Sequence, residues 1–303
     1  LNLDTLFFLK KWSTELDNIQ NSSQTRLPAW LKRPIAYSGK QNFIHEEIRK
    51  HGLHTVCREA KCPNRGECFS RGTATFLILG ENCTRNCSFC SVKHEPPEPL
   101  NLNEPHLLVD AVKRMNLKHV VITSVTRDDL SDGGASVFSK IVQLIRAQLP
   151  SITIELLIPD LQGNKDALLT IFDSRPDILN HNIETVPSLY ARIRPHAIYQ
   201  RSLELLRLAA SQGLVTKSGI MVGFGEKKEE VLGAMRDLRE HGCSILTIGQ
   251  YLQPTDRQVP VKEFISPATF EFYKTEGEHM GFNAVYSGAF IRSSYRAEEY
   301  FNK

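Results

Sequence analysis

Six of the seven cysteines lie between Cys57 and Cys90, and the seventh, Cys243, stands alone. An odd total, with six of the seven crowded into so short a stretch, does not make a disulfide scaffold, which distributes an even number of half-cystines over a small secreted chain. Reduced thiolates gathered for metal explain the crowding better, and they point to a reducing compartment. They fall into two trios. Cys57, Cys62 and Cys68 have four and five residues between them, while Cys83, Cys87 and Cys90 have three and two.

From Thr73 onward short β-rich apolar runs alternate with longer amphipathic ones, the pattern of βα units on a parallel sheet. Strands are predicted over 74–79, 119–124, 153–158, 178–183, 214–222 and 244–251, and helices over 107–115, 137–148, 165–172, 202–211, 228–241 and 267–280. Six such units make an α/β fold, a partial (β/α)6 TIM-like barrel with N-terminal and C-terminal extensions. A closed eight-stranded barrel needs two more strands, and an open parallel sheet is the alternative. In either arrangement ligands meet the C-terminal ends of the strands. Residues 1–72 read as an extension carrying the first trio, 73–282 as the barrel and 283–303 as a second extension. A helix is expected over 41–50, and Pro63, Asn64 and Gly66 predict a turning loop over 57–68.

Composition narrows the partners. With 41% hydrophobic and 23% charged residues the chain can fill a sizeable core. The 37 Lys and Arg against 34 Asp and Glu are interspersed, so no basic face is expected for nucleic acid. No run of eighteen apolar residues predicts a membrane span, and Glu15 and Asp17 follow the apolar start too closely for a signal peptide. The expected location is the cytoplasm, or an organelle matrix if a targeting segment once preceded Leu1.

The second trio sits in the loop after the first predicted strand and Gly80. Three thiolates on a four-iron cluster leave one iron open to a cofactor or substrate, whereas structural zinc is closed by a fourth Cys or His. Zinc completed by a remote His is therefore the competing reading. The spacing, with Phe89 immediately before Cys90, resembles the signature of the radical S-adenosylmethionine superfamily. That resemblance implies that Cys83, Cys87 and Cys90 hold a 4Fe-4S cluster whose open iron is chelated by the methionine end of S-adenosylmethionine, and that one electron releases a 5′-deoxyadenosyl radical. The first trio taken alone leaves half a zinc knuckle or structural thiols as alternatives; paired with the second trio it reads as an auxiliary cluster whose fourth ligand comes from elsewhere.

The two trios together resemble lipoyl synthase over nearly the whole chain. The resemblance is carried by Cys57-Arg58-Glu59-Ala60-Lys61-Cys62-Pro63-Asn64, by Gly72-Thr73-Ala74-Thr75-Phe76 and by Arg292-Ser293-Ser294-Tyr295. It implies that Cys57, Cys62, Cys68 and Ser294 hold an auxiliary 4Fe-4S cluster, with Ser293 as the fallback for Ser294; a cap or turn is the ordinary role of such a serine pair. Serine oxygen is a harder and weaker partner for iron than thiolate, which suits a cluster that gives up its own sulfide. The implied reaction is sulfur insertion at C6 and C8 of a protein-bound octanoyl-lysine group, with two S-adenosylmethionine molecules per lipoyl group. Implied partners are an octanoylated carrier (a 2-oxoacid dehydrogenase E2 domain or a glycine cleavage H protein), a ferredoxin or flavodoxin type electron donor, and an iron–sulfur carrier for cluster repair.

Family-like strand ends supply further candidates. Thr123 and Ser124 are expected to contact S-adenosylmethionine, with Asp128 and Asp129 as acceptors or as a solvated turn. Asn182 and Glu184, with His181, offer paired donors and acceptors for a nucleoside, and Arg194 suits a carboxylate unless it is a surface arginine. The glycines of 217–226 let backbone approach the adenine, and 250–255 lines the barrel mouth. Cys243 is assigned to the core. A biotin-synthase-like enzyme, which lacks the first trio and the Arg-Ser-Ser-Tyr ending, and a non-enzymatic zinc or iron–sulfur scaffold are the rival readings.

Overall fold

The computed structural model describes residues 27–32, 39–59, 62, 64–70 and 74–294. The chain divides into two compact units, Leu1–Pro34 and Ile35–Lys303. The described part of the first is a 3-10 turn, Ala29–Leu31, that buries Leu31. Gly72, Thr73, Ala60, Lys61, Pro63 and Tyr295, on which parts of the sequence motifs fall, lie outside the described residues.

The second unit opens with α1 (Gly39–Lys50), the two-residue strand β1 (His54–Thr55) and two short helices, α2 (Val56–Glu59) and α3 (Arg65–Ser70). The βα series follows: β2 (Thr75–Ile78), α4 (Glu104–Arg114), β3 (His119–Ser124), α5 (Ala135–Gln148), β4 (Thr153–Leu157), α6 (Lys165–Asp173) and β5 (Ile178–Asn180). It continues with α7 (Tyr190–Ile193), α8 (Tyr199–Ser211), β6 (Val215–Val222), α9 (Lys228–Glu240), β7 (Ile245–Gln250), α10 (Pro267–His279) and β8 (Ala284–Gly288). Sheet order equals chain order. β1 pairs antiparallel with β2, and β2 through β8 are parallel neighbours. Among the described residues β8 does not return to β1, so the barrel is partial.

Strands buried on both faces read as continuous apolar runs, and β7 has every residue buried. On the helix side Ile122 and Ile154 meet Leu108, Phe138 and Ile141, while Ile220 and Ile248 meet Leu203, Val231 and Met235 in a second apolar cluster. Burying each such side chain contributes about 1.5–3 kcal/mol. Caps fix where helices begin: the Asn164 side chain accepts from Ala167 N at α6, and Ser266, ahead of Pro267, accepts from Thr269 N at α10.

All six predicted strands and their helices are present, with ends displaced by at most three residues. The predicted strand over 178–183 stops at Asn180, because Glu184 takes a left-handed φ of 67° before its backbone bridges to Ile220. Among the described residues of the predicted loop over 57–68, two short helices, α2 and α3, stand instead. A described turn falls at Asn64, and from Arg65 to Ser70 only Gly66 opposes a helix that buries Phe69. Strand β8, within the predicted C-terminal extension, adds a seventh parallel strand.

A polar layer crosses the barrel interior. Glu155 on β4 receives Lys217 Nζ of β6 at 3.0 Å on both oxygens and Asn180 Nδ2 of β5 at 2.8 Å, with His119 of β3 3.5 Å away. Burial is the largest single influence and works against the Glu155 charge, yet Lys217, His119 and Asn180 together outweigh it and draw the carboxyl down to about 2.

Candidate active site

After β2 the chain turns through Leu79 and Gly80, both at positive φ, into the loop of the second trio. That loop closes on itself where Cys83 N donates to Lys93 O at 2.8 Å. Arg85, in the middle of the trio, is buried. It clamps Asp128 through Nε (2.6 Å) and Nη2 (2.9 Å) and reaches Asp160 through Nη2 (2.6 Å), fixing the loop to the ends of β3 and β4. The forked contact with Asp128 and the single one with Asp160 give the guanidinium both charge and direction, and they hold it firmly protonated against the opposing effect of burial. Cys83 Sγ accepts from Arg85 N at 3.4 Å and Thr126 N at 3.3 Å. Amide donors aimed at a sulfur tune any iron it holds.

On the far side of the loop Ser88 N donates to Ile193 O, and Val259 N donates to Ser88 O. Phe89 packs against the apolar group of Ile193, Phe224 and Tyr251. Just past Cys90, Ser91 Oγ donates to Glu59 O at 2.7 Å, tying the loop to the helix that carries Cys57. Cys57 lies on α2 and Cys68 on α3, and between them Cys62 N donates to Cys57 O at 3.2 Å.

Two adjoining cavities define the site. The larger, about 350 Å³, is lined by Cys57, Cys62, Phe89, Cys90, Asn182, Glu184, Ser293 and Ser294, together with apolar residues such as Val56, Leu157, Ile220, Met221 and Leu252. The smaller, about 20 Å³, is lined by Cys57, Cys62, Cys68 and Ser294 with Asn64, Ala74, Thr75 and Arg292. The first trio and Ser294 thus share one cavity, although 226 residues separate the nearby pair Asn64 and Phe290, which are joined by Asn64 Nδ2 donating to Phe290 O at 2.6 Å. Ser293 points elsewhere, donating to Asn182 Oδ1 at 2.8 Å.

Thr123, Ser124, Cys83, Cys87 and Arg194 stand outside the cavity lining. Thr123 Oγ1 donates to Leu157 O at 2.7 Å, whereas Ser124 Oγ is buried and, among the described residues, has no hydrogen-bond partner. Asp128 is engaged by Arg85 and Asp129 by Arg127. Arg194 is buried rather than a surface residue; its Nη1 donates to Asn182 O (2.9 Å) and Tyr190 Oη (2.7 Å), and its Nε finds no partner among the described residues. Glu184 receives Asn182 Nδ2 at 3.1 Å; burial raises its carboxyl, opposed by the Arg194 charge. His181 faces the core, bonded to Ile158 O and Ser202 Oγ. Glu226 accepts from Gly223 N and Phe224 N, and Tyr251 to Pro254 line the mouth. Cys243 is fully buried.

All seven cysteines are free. Burial pushes Cys57 and Cys90 up to about 12, and raises Cys87 despite the nearby Arg194 charge. Thiols placed this way become thiolates only when a metal supplies the compensating charge. Among the described residues no three His, Cys, Asp or Glu converge as ligands of one ion; the thiolates of a cubane each hold a different iron and stand farther apart. Three free thiols and a hydroxyl around one cavity fit a four-iron cluster, and the unpartnered Arg194 Nε beside Cys87 and Glu184 fits an anionic group of a bound cofactor.

The profile of the radical SAM superfamily matches residues 77–238, and that of the N-terminal domain of lipoyl synthase matches residues 10–62. The lipoyl synthase of Rubrobacter xylanophilus is 53% identical over 274 residues, covering 90% of this chain and 85% of its own. The chain belongs to the lipoyl synthase family. The lipoyl synthase of Alkaliphilus metalliredigens is 49% identical over 280 residues (92% of this chain, 97% of its own), and that of Desulfotalea psychrophila 50% over 288 (94% and 96%). Distant solved structures share the fold of this chain and nothing more. Methylornithine synthase (PylB) superposes with a TM-score of 0.53 at 16% identity, over 85% of each chain. Streptococcus suis SuiB superposes with a TM-score of 0.56 at 11% identity, over 91% of this chain and 59% of its own.

Sequence reasoning found the thiols and missed Arg85, Glu155 and Lys217. A lone charged residue carries no mark of its distant partner, although charges inside β-rich runs such as 153–158 and 214–222 are the signal that one exists.

Proposed function

We propose that the chain is a radical enzyme that inserts two sulfur atoms, at C6 and C8, into an octanoyl-lysine group carried on a protein. The observation that carries this reading is the larger cavity itself, where Cys90 of the second trio faces Cys57, Cys62 and Ser294 across apolar walls. Cys83, Cys87 and Cys90 hold one 4Fe-4S cluster; Cys57, Cys62, Cys68 and Ser294 hold the other. When bound, the first cluster with S-adenosylmethionine supplies the radical that removes hydrogen from an unactivated carbon, and the second supplies the sulfide that takes its place. Cleaving such a C–H bond has no acid–base route, and the site accordingly offers apolar walls rather than a proton shuttle.

The chain's own residues bind, orient and exclude. Arg194, through Nε, and Glu184 with Asn182 receive the charged and hydroxyl groups of the cofactor, and Ser124 Oγ offers a further polar contact. Val56, Leu157, Met221 and Leu252 accept the acyl chain and keep water from the reacting carbons. Arg85 holds the radical loop against β3 and β4. The N-terminal segment supplies the auxiliary thiols, the barrel the cofactor contacts and the C-terminal segment the serine. E2 domains or a glycine cleavage H protein are the proposed carriers, with a ferredoxin or flavodoxin type donor and an iron–sulfur carrier for repair. Free thiols support a reducing location, cytoplasm or organelle matrix. Among the described residues no helix is long and apolar enough to cross a membrane.

The test is anaerobic incubation with an octanoyl-lysine peptide, dithionite and S-adenosylmethionine. The expected product has two sulfur atoms in place of two hydrogens, from protein holding about eight irons per chain. An unchanged peptide, or one or two zincs in place of the iron, would defeat the reading.

A further inference from the structure

The turn that follows β8 is seated on the barrel mouth by contacts that have nothing to do with ligation. Residues 288–294 leave β8 at Gly288, which pairs in register with Gly249 of β7, and fold back over that neighbour. A Cβ at Gly249 would overlap the Ile291 carbonyl oxygen, so the backbone of the turn rests where only glycine leaves room. A Cβ at Gly219 would stand 2.8 Å from Asn182 Oδ1 and 3.0 Å from Ser293 Oγ, so the hydrogen bond between those two groups passes over a second glycine. Ile291 N donates to Gly288 O, and Arg292 Nη1 donates to Ile291 O at 2.7 Å, which stiffens the turn from within. Ser294, the next residue after the anchor, is then held in the cavity of Cys57, Cys62 and Cys68.

We propose that Ser293 and Gly249 are positioning residues: the Ser293 hydroxyl bond to Asn182, and the Cβ-free surface of Gly249, fix the 288–294 turn so that Ser294 alone of the serine pair meets the auxiliary iron. The proposal rests on reading Ser294 as the fourth ligand of the auxiliary cluster. It gives the two adjacent serines separate tasks. One anchors to the cofactor side of the barrel, and the other holds the labile corner of the sulfur donor. A ligand carried on a turn takes its precision from such supporting contacts.

The experiment compares the full chain, reconstituted with iron-57, with its Ser293→Ala, Ser293→Thr, Gly249→Ala and Ser294→Ala variants. Mössbauer spectra recorded without S-adenosylmethionine read the oxygen-held auxiliary iron, because the radical cluster contributes equally to every sample. The second readout is the number of 5′-deoxyadenosine molecules released per lipoyl group formed. Ser293→Ala and Gly249→Ala should lose the oxygen-held iron signal and raise that ratio about tenfold, the usual effect of removing support from a metal ligand. Ser293→Thr, which keeps the hydroxyl, should restore both. If Ser294→Ala loses the signal while Ser293→Ala keeps both signal and ratio, the seat is overturned and the ligand stands. If Ser294→Ala keeps the signal, the ligand reading fails and the proposal with it. Should Gly249→Ala not fold, the Ser293 pair still decides, since it changes one hydroxyl at a partly exposed position.

Discussion

Cys87 and Cys62 belong to different trios, and their removal should therefore have different consequences. Cys87→Ala takes one of only three ligands from the radical cluster and should abolish release of 5′-deoxyadenosine. Cys62→Ala should leave that release intact while ending sulfur insertion; equal loss of 5′-deoxyadenosine in both folded variants would contradict the division. Ser294 separates ligand strength from ligand presence. Ser294→Ala should impair thiolation more than radical formation, and Ser294→Cys should hold the auxiliary cluster but slow thiolation, because thiolate is the softer and stronger partner. Single-turnover rates of thiolation measure this, and a Ser294→Cys rate at or above the parent's would refute it. The cysteines could be singled out because their close spacing along the chain is itself the signal. Arg85 was not, since Asp128 and Asp160 lie 43 and 75 residues away and nothing local marks the clamp.

Among the elements, the strands and helices of the barrel were legible from period alone, because each strand is buried on both faces and each helix on one. The short pieces were not. β8 has one buried residue in five, and α2 and α3 are too brief for a helical period to show. The polar layer binding β4 to β6 was also hidden, since Lys217 lies 62 residues from Glu155. Its energetics are testable: Glu155→Gln takes the carboxylate from a buried lysine and should destabilise the fold by about 3–5 kcal/mol, while replacing Glu155 and Lys217 together by apolar residues should recover most of that loss. Denaturant unfolding of the single and double variants decides between this and a cost that simply adds.

His181, at the end of β5, gives a pH dependence of definite sign. Burial first, then the Arg194 charge, holds it at about 4 against an ordinary 6.5, so it is neutral when folded. The unfolded chain takes up the proton first as the pH falls. Stability is therefore whole above 6.5 and declines by about 1.4 kcal/mol per pH unit toward 4. Relative to His181→Gln, the parent should lose stability over that window; parallel curves for the two proteins would show that His181 titrates without cost.

At the scale of the whole molecule, a partial barrel opens its strand ends toward two thiol trios, one from the segment before the barrel and one from its first βα loop, and the turn after β8 closes the arrangement with Ser294. The sequence order of these parts was readable from residues and spacing, whereas their meeting at one cavity was expected only through the family resemblance, because it depends on contacts such as Asn64 to Phe290 that span most of the chain. The central claim is that Cys57, Cys62, Cys68 and Ser294 hold the sulfur that enters the product. It is tested most directly by reconstituting the protein with heavy-isotope sulfide, running the reaction with no added sulfide or repair protein, and weighing the lipoyl peptide. The account predicts heavy sulfur at both carbons and a yield that stops near about one lipoyl group per polypeptide, since a consumed cluster does not return to its starting state. Unlabelled sulfur in the product, or many turnovers from one load of sulfide, would contradict it.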